Sequence, residues 1–270
     1  MAKITGLTIY PVKSCRGIDL KEANLAATGL EYDRQWMIVD EEHRFLTQRT
    51  LPRMALIHTA LTDTNLVLTA VNQPELIVPI EHQYHCITVR VWDDICDGQD
   101  AGDNAAVWLS AFLNCKVRLV RFNPAFQRIS DKQYTGEFMA RNAYADGFPI
   151  LLISQASLND LNDRLITPLP MNRFRPNIVI DGIGAFEEDY IAQLSAPGLR
   201  LKPVKPCARC EITTTDQDTG MRSGEPLLTL STYRNNEQLQ GIIFGQNVVI
   251  VEGIGQQLCV GDELAVEWNF

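Results

Sequence analysis

Short strands broken by turn signals fill the first third of the chain, and that rhythm restricts it to a barrel or a sandwich. Ile4–Tyr10 is a β run ended by Pro11, and Leu20–Ala27 and Gln35–Asp40 follow. Ala55–Leu61 and Leu66–Ala70 flank an Asp63-Thr64-Asn65 turn and read as a hairpin. Leu76–Ile80 and Ile87–Trp92 continue the series. Asp103 caps a helix predicted over Asn104–Leu113, whose apolar residues recur at helical spacing. Val117–Arg121 returns to strand.

From residue 123 to 144 the chain is polar and irregular, with Pro124 and Gly136, and reads as a long loop. Phe148–Ile153 is an apolar strand. Ser154 is a good N-cap for a helix over Gln155–Leu165, with Ala156, Leu158, Leu161 and Leu165 on one side. Arg175-Pro176-Asn177 leads into a strand over Ile178–Asp181, and Glu187–Gln193 reads as a short helix. Leu199–Lys205 feeds the cysteine stretch, where Pro206 keeps the entry extended or turned, while the β-branched run after Cys210, Pro226–Tyr233, Gly245–Glu252 and Asp262–Trp268 are expected as strands. The fold class is therefore mostly β with some helices, in two parts: residues 1–121 and 122–270.

A chain of 270 residues is long enough for one large domain or two small ones. Its 24 Lys and Arg against 33 Asp and Glu leave a net charge of -9, which argues against a nucleic-acid partner. Any anion site must be local. The first ten residues lack an apolar core of signal-peptide length, and no stretch approaches the roughly 20 apolar residues of a membrane span. A cytoplasmic protein without a membrane partner is the expectation. Seven cysteines stand at irregular spacing, which does not describe a disulfide framework. His82 and His85 read as surface loop residues.

Within Lys205–Asp216, Cys207 and Cys210 are separated by two residues, and Arg209 lies between them. A Cys-x-x-Cys pair by itself serves as half a zinc site, as a thiol redox pair, or as two cysteines with no shared task. Elsewhere, polar groups gather at strand ends. Lys13, Ser14 and Arg34 are residue types that hold a phosphate, two cations and a hydroxyl donor, with Gly17 permitting a tight turn. On spacing alone these also describe a solvated loop.

Several motifs in order carry a resemblance. Tyr10-Pro11-Val12-Lys13-Ser14-Cys15-Arg16-Gly17 and Asp33-Arg34-Gln35-Trp36 resemble the N-terminal β-barrel domain of MOSC proteins. Asp146-Gly147-Phe148-Pro149, Ser154-Gln155-Ala156-Ser157-Leu158, Arg173-Phe174-Arg175-Pro176-Asn177-Ile178-Val179 and Cys207-Ala208-Arg209-Cys210 with Thr213-Thr214 are similar to the MOSC domain. So is Asp216-Gln217-Asp218-Thr219-Gly220. The whole resembles the amidoxime-reducing component of mitochondria and its bacterial counterparts, over nearly the full chain.

The resemblance implies a molybdenum cofactor, a Mo-molybdopterin, bound between the two β-rich parts. It implies Cys210 as the metal ligand and Asp146 as an acidic residue near the metal. Lys13, Ser14 and Arg34 would face the cofactor phosphate, and Arg175, Asn177 and Thr213 the pterin. Pyridoxal phosphate binding also attaches to the family. The implied activity is a molybdenum-dependent reductase of small N-hydroxylated substrates (amidoximes, hydroxylamines and N-hydroxylated bases). A cofactor-binding or carrier protein without turnover is the alternative, and a thiol–disulfide protein a third reading. The last lacks a thioredoxin-like βαβ pattern around the pair.

The other cysteines lack the close spacing of cluster-binding runs, and no Gly-x-Gly-x-x-Gly follows a predicted strand. Electrons are therefore expected from a separate carrier protein, an iron–sulfur or haem carrier with its own reductase.

Overall fold

Ala2–Ile9 alternates buried and outward side chains, with Ala2, Ile4, Leu7 and Ile9 inside. That period-2 pattern lets one face meet an apolar core while the other pairs or faces water. The computed structural model describes residues 1–81 and 85–269. The expectation for His82 lies outside the described residues, and His85 opens an exposed edge strand.

Seven strands close into a barrel. Their order is Ile150–Ser154, Ile178–Asp181, Ala2–Ile9, Glu263–Trp268, Ile191–Ala196, Leu199–Ala208 and Gly241–Glu252, which pairs back to the first. Closure leaves no open edge along this path. The pair Ile150–Ser154 and Ile178–Asp181 is parallel, and the other barrel pairs are antiparallel. Ile4, Leu152, Ile178, Ile180, Leu194, Leu201, Val248 and Leu264 form the core of this half, each 0% exposed. Burying one such side chain stabilises by about 1.5–3 kcal/mol.

A second body packs beside the barrel. It holds a four-stranded sheet in the order Trp36–Val39, Arg118–Phe122, Asp94–Asp100, His85–Val91. A three-stranded meander, His58–Leu61, Asn65–Thr69 and Leu76–Pro79, adds to it, and the predicted hairpin is its first pair. The helix Asp103–Leu113 buries Ala105, Trp108, Leu109 and Phe112 against this core. Strands take 42% of the chain, so the mostly-β class holds.

Several local readings need correction. Gly102, not Asp103, occupies the N-cap; Asp103 sits in the first turn, where a carboxylate still favours the helix dipole. Asp94–Asp100 is a strand that its acidic composition hides; it pairs on both sides, which supplies what propensity does not. The span 123–144 is not structureless: Arg128–Ile129 pairs with Arg141–Asn142, and Asp131 caps the helix Lys132–Thr135. Pro226–Tyr233 is not a strand but contains the helix Leu227–Ser231, with Glu225 accepting from Thr229 N and Oγ1 at 3.0 Å each.

The β-branched run after Cys210 is a 3-10 turn over Glu211–Thr214, because Thr213 Oγ1 and Thr214 Oγ1 donate back to the carbonyls of Cys210 and Glu211. Glu187–Gln193 begins as a 3-10 turn and becomes strand at Ile191. Ser154 does cap its helix, accepting from Ala156 N at 3.1 Å.

Candidate active site

Ala2–Ile9 leaves the barrel through Tyr10-Pro11-Val12-Lys13-Ser14, which runs along Arg34-Gln35-Trp36. Arg34 N donates to Tyr10 O, Trp36 N to Pro11 O and Lys13 N to Trp36 O, at 2.8–2.9 Å. Asp33 Oδ1 accepts from Tyr10 N at 2.8 Å. The two N-terminal motifs are thus one unit in space, anchored by Val12, Cys15 and Trp36, each 0% exposed.

This unit faces a pocket at the end of the barrel where Leu199–Ala208 finishes and Ile150–Ser154 and Ile178–Asp181 begin. All eight residues that the motifs nominate line it: Lys13, Ser14, Arg34, Asp146, Arg175, Asn177, Cys210 and Thr213. Cys207, Arg209 and Thr47 line it too.

One wall is cationic and tightly held. Arg34 and Arg175 stand on the Tyr10 ring, with their guanidinium carbons 4.4 and 4.1 Å from its centroid. Arg34 donates to Asp33 Oδ2 at 2.5 Å, to Asn177 Oδ1 at 2.9 Å and to the Arg175 carbonyl at 3.2 Å. Arg175 Nη1 reaches Gln217 Oε1 at 3.4 Å, while its Nη2 is buried with no partner. Burial pulls the Arg175 guanidinium down to about 10, still charged at neutral pH, and pushes the Tyr10 hydroxyl up to about 12 against the pull of both arginines.

Ser14, Arg34 and Arg175 all have positive φ (66°, 47° and 56°). Each such non-glycine residue costs about 1–2 kcal/mol locally, and residues of this kind concentrate at functional sites. Gly17 does not serve a tight turn by its φ. A Cβ there would stand 2.6 Å from Tyr10 Cε1, so glycine lets the ring carrying both arginines lie flat against the chain.

Lys13 is 5% exposed. Its Nζ donates to the Tyr144 carbonyl at 2.8 Å and to Asp146 Oδ1 at 2.6 Å. Desolvation lowers the Lys13 pKa, and the Asp146 charge opposes it. Desolvation works to raise the Asp146 pKa, but the Lys13 ammonium and the Trp92 N–H outweigh it and hold the carboxyl below the usual range. Four cations line the pocket (Lys13, Arg34, Arg175, Arg209) against one carboxylate, Asp146, with Asp33 just behind. In a chain of net charge -9 this is a local concentration of positive charge.

The opposite wall carries the cysteines. Cys207 is the last residue but one of the strand Leu199–Ala208, and Cys210 is the N-cap of the 3-10 turn that follows. Arg209 Nη1 donates to Cys207 Sγ at 3.0 Å, and Nη2 donates to the Phe174 carbonyl at 2.5 Å. Among the described residues Cys210 Sγ has no hydrogen-bond partner, and no cluster of three or more His, Cys, Asp or Glu is placed to hold a metal ion. A metal at Cys210 would need most of its ligands from a bound group.

Two nominated residues work from behind the surface. Asn177 Nδ2 donates to Thr8 O at 3.1 Å, while Oδ1 accepts from Arg34 and from Leu151 N at 3.1 Å, so both ends of its amide brace Arg34 against the barrel. Thr213 Oγ1 donates to the Cys210 carbonyl at 3.0 Å and fixes the cysteine's backbone.

Sequence reading missed Gln48, and it quoted Gln217 within the Asp216–Gly220 motif without assigning it a role. Their side chains exchange two amide hydrogen bonds of 3.0 Å, and Gln48 Nε2 also holds the Ser14 carbonyl at 2.8 Å. Being 169 residues apart, they gave no local signal of their pairing.

The MOSC N-terminal beta barrel domain family matches residues 1–116, and the MOSC domain family matches residues 140–265. The chain is 38% identical over 253 residues to mitochondrial amidoxime-reducing component 1 of Mus musculus, covering 90% of this chain and 74% of that one. It is 36% identical over 257 residues to the Homo sapiens component 1, covering 90% and 75%. Against mitochondrial amidoxime reducing component 2 of Rattus norvegicus it is 38% identical over 245 residues, covering 86% and 72%.

Proposed function

For a chain that belongs to the MOSC family, with a MOSC N-terminal β-barrel domain ahead of its MOSC domain, we propose a molybdenum cofactor-dependent oxidoreductase that reduces N-hydroxylated compounds. The observation that carries this reading is the convergence on one pocket of a free cysteine thiol and a set of buried, braced cations. A soft thiolate suits a sulfur-ligated metal, and fixed guanidinium groups suit a phosphate and a polar heterocycle. The residues present fit such a group. Arg175 Nη2 is an orphaned buried donor, and among the described residues Ser14 Oγ and Cys210 Sγ are free of partners.

In this reading Cys210 is the metal ligand, Lys13, Ser14 and Arg34 hold the phosphate, and Arg175 donates to the pterin. Asn177 and Thr213 act through their neighbours, bracing Arg34 and the Cys210 turn. When bound, the cofactor supplies the two-electron chemistry that converts N–OH to N–H and water. That conversion consumes two protons as well as two electrons. The Lys13–Asp146 pair holds a proton at Nζ beside the pocket, with Asp146 ionised at neutral pH. The names of the relatives favour amidoximes as substrates. A cytoplasmic location and electron delivery by a separate carrier protein belong to the same proposal.

Pyridoxal phosphate is less well served. Its Schiff base needs a free lysine, and Lys13, the lysine lining the pocket, is tied to Asp146 and the Tyr144 carbonyl.

The test is turnover. Cofactor-loaded protein given a chemical reductant and benzamidoxime should form benzamidine, and NADH alone should not support the reaction. Tight molybdenum binding with no turnover of amidoxime or hydroxylamine would favour a carrier. NADH oxidation coupled to substrate in the pure chain would mean an unrecognised redox site.

A further inference from the structure

Trp92 reaches the site from an unexpected place. It fills the first position of the two-residue turn between His85–Val91 and Asp94–Asp100, at φ 57°. A bulky side chain is rare at that φ, where Asn or Gly is the ordinary choice. It is also 42% exposed, so core packing does not explain it. Its contacts do point somewhere. Indole Nε1 donates to Asp146 Oδ1 at 3.1 Å, the Arg49 guanidinium stands 4.3 Å from the ring centroid, and the Phe45 ring lies 5.0 Å away.

Lys13 Nζ donates to the same Asp146 oxygen at 2.6 Å. Two donors on Oδ1 fix the plane of the carboxylate. Oδ2 has no partner among the described residues, and the side chain is 64% exposed while lining the pocket. An ionised carboxylate with one oxygen occupied and the other open is an acceptor waiting for an N–H or O–H donor.

We propose that Trp92 is a positioning residue that holds Asp146 Oδ2 ready for a substrate N–H, and so selects N-hydroxylated substrates with an amino group on the carbon next to the N–OH nitrogen. Amidoximes and N-hydroxyguanidines carry that group; simple N-alkylhydroxylamines do not. The inference rests on the reductase reading and specifies its substrate class. Lys13, which binds Asp146, is buried, whereas Trp92, its other donor, is 42% exposed. Arg49 and Phe45 hold the indole through their contacts with its ring.

Two measurements on wild type and Trp92→Phe test it, the variant keeping an aromatic ring but no N–H. The first is calorimetric binding of benzamidine, the amidine product, to the protein as expressed. The second is the ratio of kcat/KM for benzamidoxime to that for N-benzylhydroxylamine under chemical reduction. We expect Trp92→Phe to weaken benzamidine about tenfold, and to lower the ratio by a similar factor, mostly through KM, as loss of a charge-assisted hydrogen bond implies. Asp146→Asn should weaken benzamidine at least as much.

Unchanged benzamidine binding in Trp92→Phe, or equal losses for both substrates, would overturn the proposal. Trp92-dependent benzamidine binding in a protein that reduces neither substrate would keep the contact and sink the reductase reading instead.

Discussion

Lys13, Arg34 and Arg175 occupy a wall in which Lys13 and Arg34 are each held by two or more hydrogen bonds and Arg175 by Gln217 and the Tyr10 ring; across the pocket, Cys210 projects a thiol with no hydrogen-bond partner among the described residues. The cationic wall is deeply buried, with Lys13, Ser14 and Arg175 at 5–8% exposure, and its backbone is strained at Ser14, Arg34 and Arg175. The thiol wall is half-buried and rests on a short 3-10 turn. The difference suggests a division of labour. Fixed charges of this kind would pre-organise the seat of the proposed cofactor, so that little is lost in ordering them when it binds. A metal ligand needs the opposite: a side chain with an uncommitted atom.

The largest effect should come from the thiol wall. Cys210→Ala should remove nearly all activity and most bound metal while the melting temperature stays close to wild type, because one half-buried thiol contributes little packing. Activity, metal content and a thermal melt on the same preparation check this. If Cys210→Ala instead unfolds the protein, the thiol is structural and the contrast between the walls fails.

Next come the cations. Arg175→Ala and Arg34→Ala should each lower cofactor retention by about one to two decades, the equivalent of a hydrogen bond to a charged group at roughly 1.5–3 kcal/mol. Cofactor content after dialysis is the readout. Asn177→Ala should reproduce part of the Arg34 loss, since its amide oxygen holds that guanidinium at 2.9 Å. Retention unchanged in both arginine variants would return these residues to ordinary structural charges.

A smaller change should follow Gly17→Ala, whose Cβ would sit 2.6 Å from Tyr10. Overpacking of this kind costs about 1–3 kcal/mol. It should lower the melting temperature by a few degrees and weaken cofactor retention through the displaced Tyr10 ring. Stability loss with intact retention would show that the ring does not place the arginines. The smallest effect belongs to Cys207→Ala. Its sulfur accepts from Arg209 and has no role in the proposed ligation, so activity should stay within a few-fold of wild type.

What sequence reading captured followed from how the chain encodes each part. The nominated residues sit in compact motifs at strand ends, where several chemical types fall within a few positions, and all of them reached the pocket. The strands Ile178–Asp181 and Glu263–Trp268 were legible because apolar and β-branched runs build a barrel. Asp94–Asp100 was not, because its pairing partners, rather than its own residues, make it a strand.

The threonines after Cys210 have high strand propensity but turn back onto their own carbonyls, which no propensity scale registers. Trp92 lies 54 residues before the carboxylate it holds, and Gln48 lies 169 before Gln217. Such contacts exist only once the chain has folded.

The most direct test is the composition of the protein itself. It should be produced in cells that make the molybdenum cofactor and purified without added metal. Molybdenum and extracted pterin are then measured per chain, alongside the sulfur coordination of the metal by X-ray absorption. The account predicts molybdenum and pterin in about equal amounts, a sulfur-rich metal environment, and loss of one sulfur neighbour in Cys210→Ala but not in Cys207→Ala. Zinc in place of molybdenum, or sulfur coordination that follows Cys207, would contradict it.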